Sequence, residues 1–495
     1  MAGGRTGCAA LATWCGVARL GIAAGDIWQT QALVVSQRPF EAAILAIAKS
    51  VFLPAFLTPT ISTTMFRFFL LVVSFLCALC AGSAVAAGDE PSRLAADDIT
   101  YSTADWPRWR GPQGNGVADP KQSPPTHWDA STNTNVVWKV PIPGRGHSSP
   151  IVVNDRVILT TAEVDREVQS MLCFDRKTGA SRWRTEVHHG GLERKGNKKT
   201  TQASSTVACD GQRLIVNFLN RGAIYTTALD LDGKQLWQTK VSEFDTHQGF
   251  GSSPTVDGPL AFVTTDNRGG GVVAALERAT GKVVWQSKRP AKDNYASAVV
   301  LHAGGRKQLV VQGCDLVSSF EPLTGQKLWE MEGATTECVT SLVTDGERVF
   351  ASGGYPRKHV QAVLADGSGK TTWESNSEVY VPSMVVHQGH LYAVLDKGFA
   401  ACWKSDTGKE LWKERVGGTF TASLVLVGDN IFAVNESGEN FIFKANPTSY
   451  EQVAKNKLGN EVYATPAICG GQIFMRVVED AGGQRQEMLY CLGSR

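Results

Sequence analysis

From about residue 136 to the C-terminus, apolar and polar positions alternate in short runs, and Gly, Asn or Asp stops each run. Val153-Asn154-Asp155-Arg156-Val157-Ile158-Leu159, Gly258-Pro259-Leu260-Ala261-Phe262-Val263 and Gly428-Asp429-Asn430-Ile431-Phe432-Ala433 each read as a strand end, a tight turn and a second strand. A longer word recurs over this pattern, and its cleanest copy is Ala275-Leu276-Glu277-Arg278-Ala279-Thr280-Gly281-Lys282-Val283-Val284-Trp285. Further copies carry Gly179 with Trp183, Gly233 with Trp237 and Gly325 with Trp329; looser ones end at Trp373 and, after Gly408, at Trp412. From Trp183 these tryptophans fall 54, 48, 44, 44 and 39 residues apart, the period of a propeller or a solenoid. In each copy the Gly supplies the positive-φ position of a bulged hairpin turn. The Trp is too large for one four-stranded sheet to cover, so it is expected to pack onto the next sheet.

A second mark counts the units. Ser148-Ser149-Pro150, Ser204-Ser205-Thr206, Ser252-Ser253-Pro254, Ala296-Ser297-Ala298, Thr340-Ser341-Leu342, Pro382-Ser383-Met384, Ala422-Ser423-Leu424 and Thr465-Pro466-Ala467 open eight successive units with small residues. Small side chains belong where innermost strands converge on an axis. The expectation is an all-β, eight-bladed β-propeller of four-stranded antiparallel blades. The seventh unit, around Phe441-Ile442-Phe443-Lys444, has lost its Gly and Trp, and the eighth stops at Tyr490-Cys491-Leu492 after three strands. Val136-Val137-Trp138-Lys139-Val140 is a fourth-strand word with no unit of its own, so this N-terminal strand is expected to complete the last blade and leave no free edge.

Residues 1–64 show neither alternation nor repeat and are read as a mis-annotated upstream extension. Residues 65–86, with Arg67, the apolar run Phe68–Leu79 and the close on Ala84-Val85-Ala86, read as a signal peptide cleaved after Ala86 or Ala87. Export without a remaining membrane span follows. Residues 87–135 form a strap rich in Trp, Pro and Gly, whose Trp106, Trp109 and Trp128 are expected against the flank of the propeller at 136–495.

Composition narrows the function. The 49 basic and 47 acidic residues leave a net charge of +2, with no footprint for nucleic acid. Of eleven cysteines, seven lie in the repeat region, an odd number of isolated residues that reads as buried thiols. Arg194-Lys195-Gly196-Asn197-Lys198-Lys199 reads as a solvated loop, and Gly269-Gly270-Gly271 as a hairpin turn with no Lys-Ser/Thr successor for phosphate.

The Asp-x-x-Thr-Gly-x-x-x-Trp word resembles the pyrroloquinoline-quinone-type repeat family over roughly residues 136–495, and the layout with its Trp-Pro-Arg-Trp-Arg-Gly-Pro strap resembles exported BamB-like propellers. The resemblance implies blade-docking roles for Trp138, Trp183, Trp237, Trp285, Trp329, Trp373 and Trp412 and for Gly179, Gly233, Gly281, Gly325 and Gly408. Its dehydrogenase branch implies quinone with calcium, a vicinal Cys-Cys pair and an oxygen cage; this chain has no Cys-Cys pair. Neither a catalytic residue nor a cofactor nor a metal is expected, with quinone plus calcium, in an alcohol or sugar dehydrogenase, as the alternative and a carbohydrate-binding or carbohydrate-active propeller as a second.

Loops entering the inner strands line one mouth of a propeller. The candidate rim is Arg145, His147, His247, Phe250, Asn294, Tyr295, Glu337, Tyr380, Phe420 and Tyr463, a mixture suited to capturing an envelope protein or a small ligand, or to plugging the channel. His147 and His247 read as rim hydrogen-bonding groups rather than paired ligands. The expected state is a monomer or part of a complex.

Overall fold

The alternation of residues 136–492 resolves into eight four-stranded antiparallel sheets, seven of them built from consecutive hairpins. The computed structural model describes residues 99–494, so the upstream extension and the signal peptide lie outside the described residues. The first blade runs from its inner strand Ile151–Val153 to its outer strand Ser181–His189, and six blades repeat that order. In the last blade Val136–Ile142 pairs antiparallel with Gln484–Leu492, with Trp138 opposite Cys491, so the N-terminal strand closes the ring as expected.

The two halves of the repeated word meet between blades. The Trp138 indole donates to Arg176 O of the next blade at 2.9 Å, Trp183 to Leu231 O at 3.0 Å and Trp237 to Arg278 O at 3.0 Å. Trp285, Trp373 and Trp412 donate likewise to Pro322 O, Ser405 O and Asn446 O. Each of these carbonyls belongs to the turn of the following repeat, and in five of the six that turn's Gly faces the ring. A Cβ on Gly281 would stand 2.5 Å from Trp237, and one on Gly408 2.4 Å from Trp373. The glycine therefore does two things at once: it holds φ at +74° at position 281 and leaves room for an indole. Trp329 departs from the rule and donates to Gln308 of its own blade, where the next turn, Ala365–Lys370, has a different form.

The seventh blade lacks the Trp, and the strap supplies one. Trp128 is buried there, its backbone N–H donating to Asn456 Oδ1 on the outer strand Gln452–Lys457. The rest of the strap corrects the expectation of a flank position. Trp106 pairs with Val152 of the first blade, Pro107 O accepts from Cys209 N, and Arg108 reaches Val256 O. Trp109 donates to Ser341 Oγ at 2.8 Å, Arg110 to Met384 O, Ala118 N to Leu426 O at 2.8 Å, and Gln122 to Ile468 O at 3.3 Å. Seven inner-strand regions are touched in turn, so the strap crosses the axial end from which the inner strands leave, and Trp109 points up the channel. The sequence could not show this, because a tryptophan pays no attention to direction: an axis lined with short side chains offers the same apolar cover as a flank. All seven described cysteines are free and buried, as their spacing implied.

Gly281→Ala is expected to cost about 2–4 kcal/mol, the sum of a left-handed backbone and a displaced indole. Gly222→Ala, also at positive φ but facing open space, is expected to cost about 1 kcal/mol. Urea unfolding of both variants checks the comparison; equal losses would mean that the Trp contact contributes nothing.

Candidate functional site

The opposite end of the axis stays open, because the loops entering the inner strands splay apart there. They enclose a cavity of about 810 Å³ whose base holds Trp109 and whose walls carry His147, His247, Phe250, Tyr295, Glu337, Tyr355, Glu378, Tyr380 and Tyr463. Below the walls lies a belt of hydroxyls, one per blade. Ser149 N donates to Thr206 Oγ1 at 3.0 Å, Thr206 N to Ser253 Oγ at 2.9 Å and Ser253 N to Ser297 Oγ at 2.8 Å. Ser341 N donates to Ser383 Oγ, Ser383 N to Ser423 Oγ and Ser423 N to Thr465 Oγ1, each at 2.9 Å. The small residues of the inner strands thus satisfy the backbone N–H groups that neighbouring blades cannot pair, since inner strands from separate sheets do not share a ladder.

Seven of the ten rim residues line the cavity, and three do not. Phe420 is 1% exposed and packs on Phe441. Asn294 is buried, donating to Asp266 at 2.8 Å and Gln312 O at 2.9 Å while accepting from Cys338 N, so it braces the mouth from behind. Arg145 pairs through its backbone with Ala162. Position before an inner strand was the signal for all ten; which way a loop side chain turns depends on the neighbouring blade.

His147 stacks on Tyr463 with ring centroids 4.5 Å apart. Burial pushes its imidazole down to about 3, and Arg476, Arg145 and Arg485 push the same way, so it is neutral at pH 7. On the other wall Tyr380 donates its hydroxyl to Glu337 Oε2 at 3.1 Å, and its backbone N–H donates to Asp396 at 2.8 Å. Burial raises Asp396 to about 6 against those backbone bonds. Tyr295 keeps a buried hydroxyl without a partner, and burial together with Glu337 and Asp293 pushes its ionisation well above the usual range.

His147 and His247 find different surroundings. His247 Nδ1 lies 3.2 Å from Asp293 Oδ2 and 3.7 Å from Glu337 Oε1, three residues from three successive blades. Asp293 was not singled out from the sequence, where only its place one residue before Asn294 could have marked it. The basic loop also does more than meet solvent: Lys199 reaches Glu436 of the seventh blade at 2.7 Å, and Asn197, Lys199 and Thr200 line the cavity.

Comparison with known proteins agrees with this architecture. The model of the family described as outer membrane protein assembly factor BamB matches residues 125–249, 172–414 and 356–445. A search of curated proteins gives no significant match. Among solved structures, BamB from Moraxella catarrhalis is similar with a TM-score of 0.52 and 12% identity, covering 72% of this chain and 98% of that one. A europium-containing methanol dehydrogenase is similar with a TM-score of 0.58 and 11% identity, covering 79% and 98%. The quinohemoprotein alcohol dehydrogenase of Comamonas testosteroni gives 0.57 and 12%, covering 79% and 81%. At these identities the likeness is one of fold, shared by both branches.

The pH dependence of stability tests the buried imidazole. In the unfolded chain His147 takes up a proton near pH 6.5, while in the folded chain it resists until about 3, so between these values only the unfolded state gains the proton. The stability of the protein relative to His147→Gln is expected to be full above pH 6.5 and to fall by at most about 1.4 kcal/mol per pH unit below it. Denaturant unfolding of both at pH 7.5 and 4.5 measures this, and a constant difference would refute neutral burial.

Proposed function

The chain belongs to the family described as outer membrane protein assembly factor BamB, and from that membership we propose that it is an exported, non-catalytic scaffold of the cell envelope that takes a protein segment or a small ligand into its open mouth. The observation that carries this reading is the one-ended funnel: a cavity of about 810 Å³, plugged behind by the strap and walled by tyrosines, histidines and carboxylates. Aromatic faces with a few polar groups give contact area at low entropic cost and suit recognition. Export rests on residues 65–86, which lie outside the described residues. No helix among the described residues is long and apolar enough to cross a membrane.

The donor set does not fit quinone with calcium. Trp109 lies at the base of the cavity, but no cysteine lines it, and the seven described cysteines are buried singly. Calcium prefers six to eight oxygens, whereas the carboxylates of Asp293 and Glu337 at the wall share their space with the His247 imidazole.

A photo-crosslinking residue placed at Tyr380 or Tyr463 in the exporting cell is expected to trap one envelope protein or to be protected by one ligand. The same residue at Leu236, exposed on an outer strand, is expected to give neither. Equal trapping from Leu236 would move the binding face to the blade edges. Alcohol- or sugar-dependent dye reduction after adding quinone and calcium to the purified protein would replace the scaffold reading with the dehydrogenase one.

A further inference from the structure

We infer that His247, Asp293 and Glu337 form a binding site for one divalent cation of the zinc and manganese class at the wall of the funnel. Nothing in the scaffold reading requires it, and it stands or falls separately.

The geometry comes first. One ligand atom from each residue lies within 4.8 Å of the others, and two of the three edges touch the imidazole, at 3.2 and 3.7 Å. Ligands about 2.1 Å from a tetrahedral zinc stand about 3.4 Å apart, so the imidazole edges already bracket the required spacing. The three residues enter from the loops of three adjacent blades, which sets them on rigid and independent supports.

The surroundings hold those atoms in a ligand's pose. Tyr380 occupies Glu337 Oε2 and leaves Oε1 facing the imidazole, so Glu337 is presented through one oxygen. Arg268 donates to Asp293 Oδ2 at 2.8 Å, the same oxygen that faces the imidazole, and so fixes its position. The Gln248 amide lies 3.4 Å from His247 Nε2; with the amide turned, its oxygen accepts Nε2–H and leaves Nδ1 as the ligand atom. Such outer contacts are what orient metal ligands.

One unsatisfied atom at the site points to an occupant. The His247 Nδ1 atom is covered and makes no hydrogen bond, although Asp293 Oδ2 lies 3.2 Å away. Buried polar atoms are rarely left so. A cation within reach of the three ligand atoms answers this. Since His247 and Glu337 both line the cavity, the remaining coordination positions face the funnel and are open to water or to a carboxylate of an entering ligand. The mixed nitrogen and oxygen set selects against calcium and magnesium.

The test uses the purified mature protein and cobalt(II), a visible-absorbing probe for zinc sites. Cobalt is expected to bind at one equivalent with a d–d spectrum, to be displaced by zinc, and to be undisturbed by a hundredfold excess of calcium. His247→Gln and Glu337→Gln are each expected to weaken binding at least tenfold, while His387→Gln, a histidine paired with Asp429 elsewhere, leaves it unchanged. Melting curves without metal confirm that the variants fold; should His247→Gln fail to fold, Glu337→Gln carries the test. No saturable cobalt binding, equal binding by either site variant, or displacement by calcium would overturn the inference.

Discussion

The ring depends on one contact, made at five of its joints: the indole of an outer strand seated on the glycine of the next repeat. A Trp→Ala change at such a buried position typically costs about 3–5 kcal/mol, and the same joint is made again and again around the circle. The joint is specific because both partners are needed. A side chain on Gly281 would collide with Trp237, and a smaller residue at 237 would remove the indole's hydrogen bond to the Arg278 carbonyl. One short word therefore encodes both a hairpin within a blade and the spacing between blades.

Where the word fails, the chain compensates from elsewhere. Trp329 turns to Gln308 in its own blade, and the seventh blade borrows Trp128 from the strap. The eighth blade takes its outer strand from the N-terminal side, which ties the first and last parts of the propeller into one sheet. These exceptions share a physical reason: a closed ring has no tolerance for one unfilled joint, since every sheet is held only by its two neighbours.

Closure also explains the asymmetry of the axis. Eight inner strands converge with no ladder between them, and their N–H groups turn to serine and threonine hydroxyls of the adjacent blade. The strap covers the end where those strands leave, and the loops that enter them open at the other. Groups that are far apart in the chain then meet. His247, Asp293 and Glu337 gather on one wall, His147 and Tyr463 stack on the other, and Lys199 spans from the basic loop to Glu436. A funnel of this kind can hold a ligand in place without covalent chemistry.

The sequence by itself determined the number of blades, their four-strand order, the closing strand and the buried thiols. All of these follow from local pattern: period-two alternation, turn glycines, and a Trp at constant offset, each of which acts on residues near in the chain. Only the tertiary structure decided what the axis contains. Asp293 carries no mark in the sequence, yet it faces His247 because adjacent blades are rotated into register. Asn294 and Phe420 share the position of true cavity residues but turn away from it. The strap's course was hidden for the same reason: Trp106 and Trp109 read as ordinary apolar cover, and their place under the channel follows from eight inner strands whose convergence exists only in the closed ring.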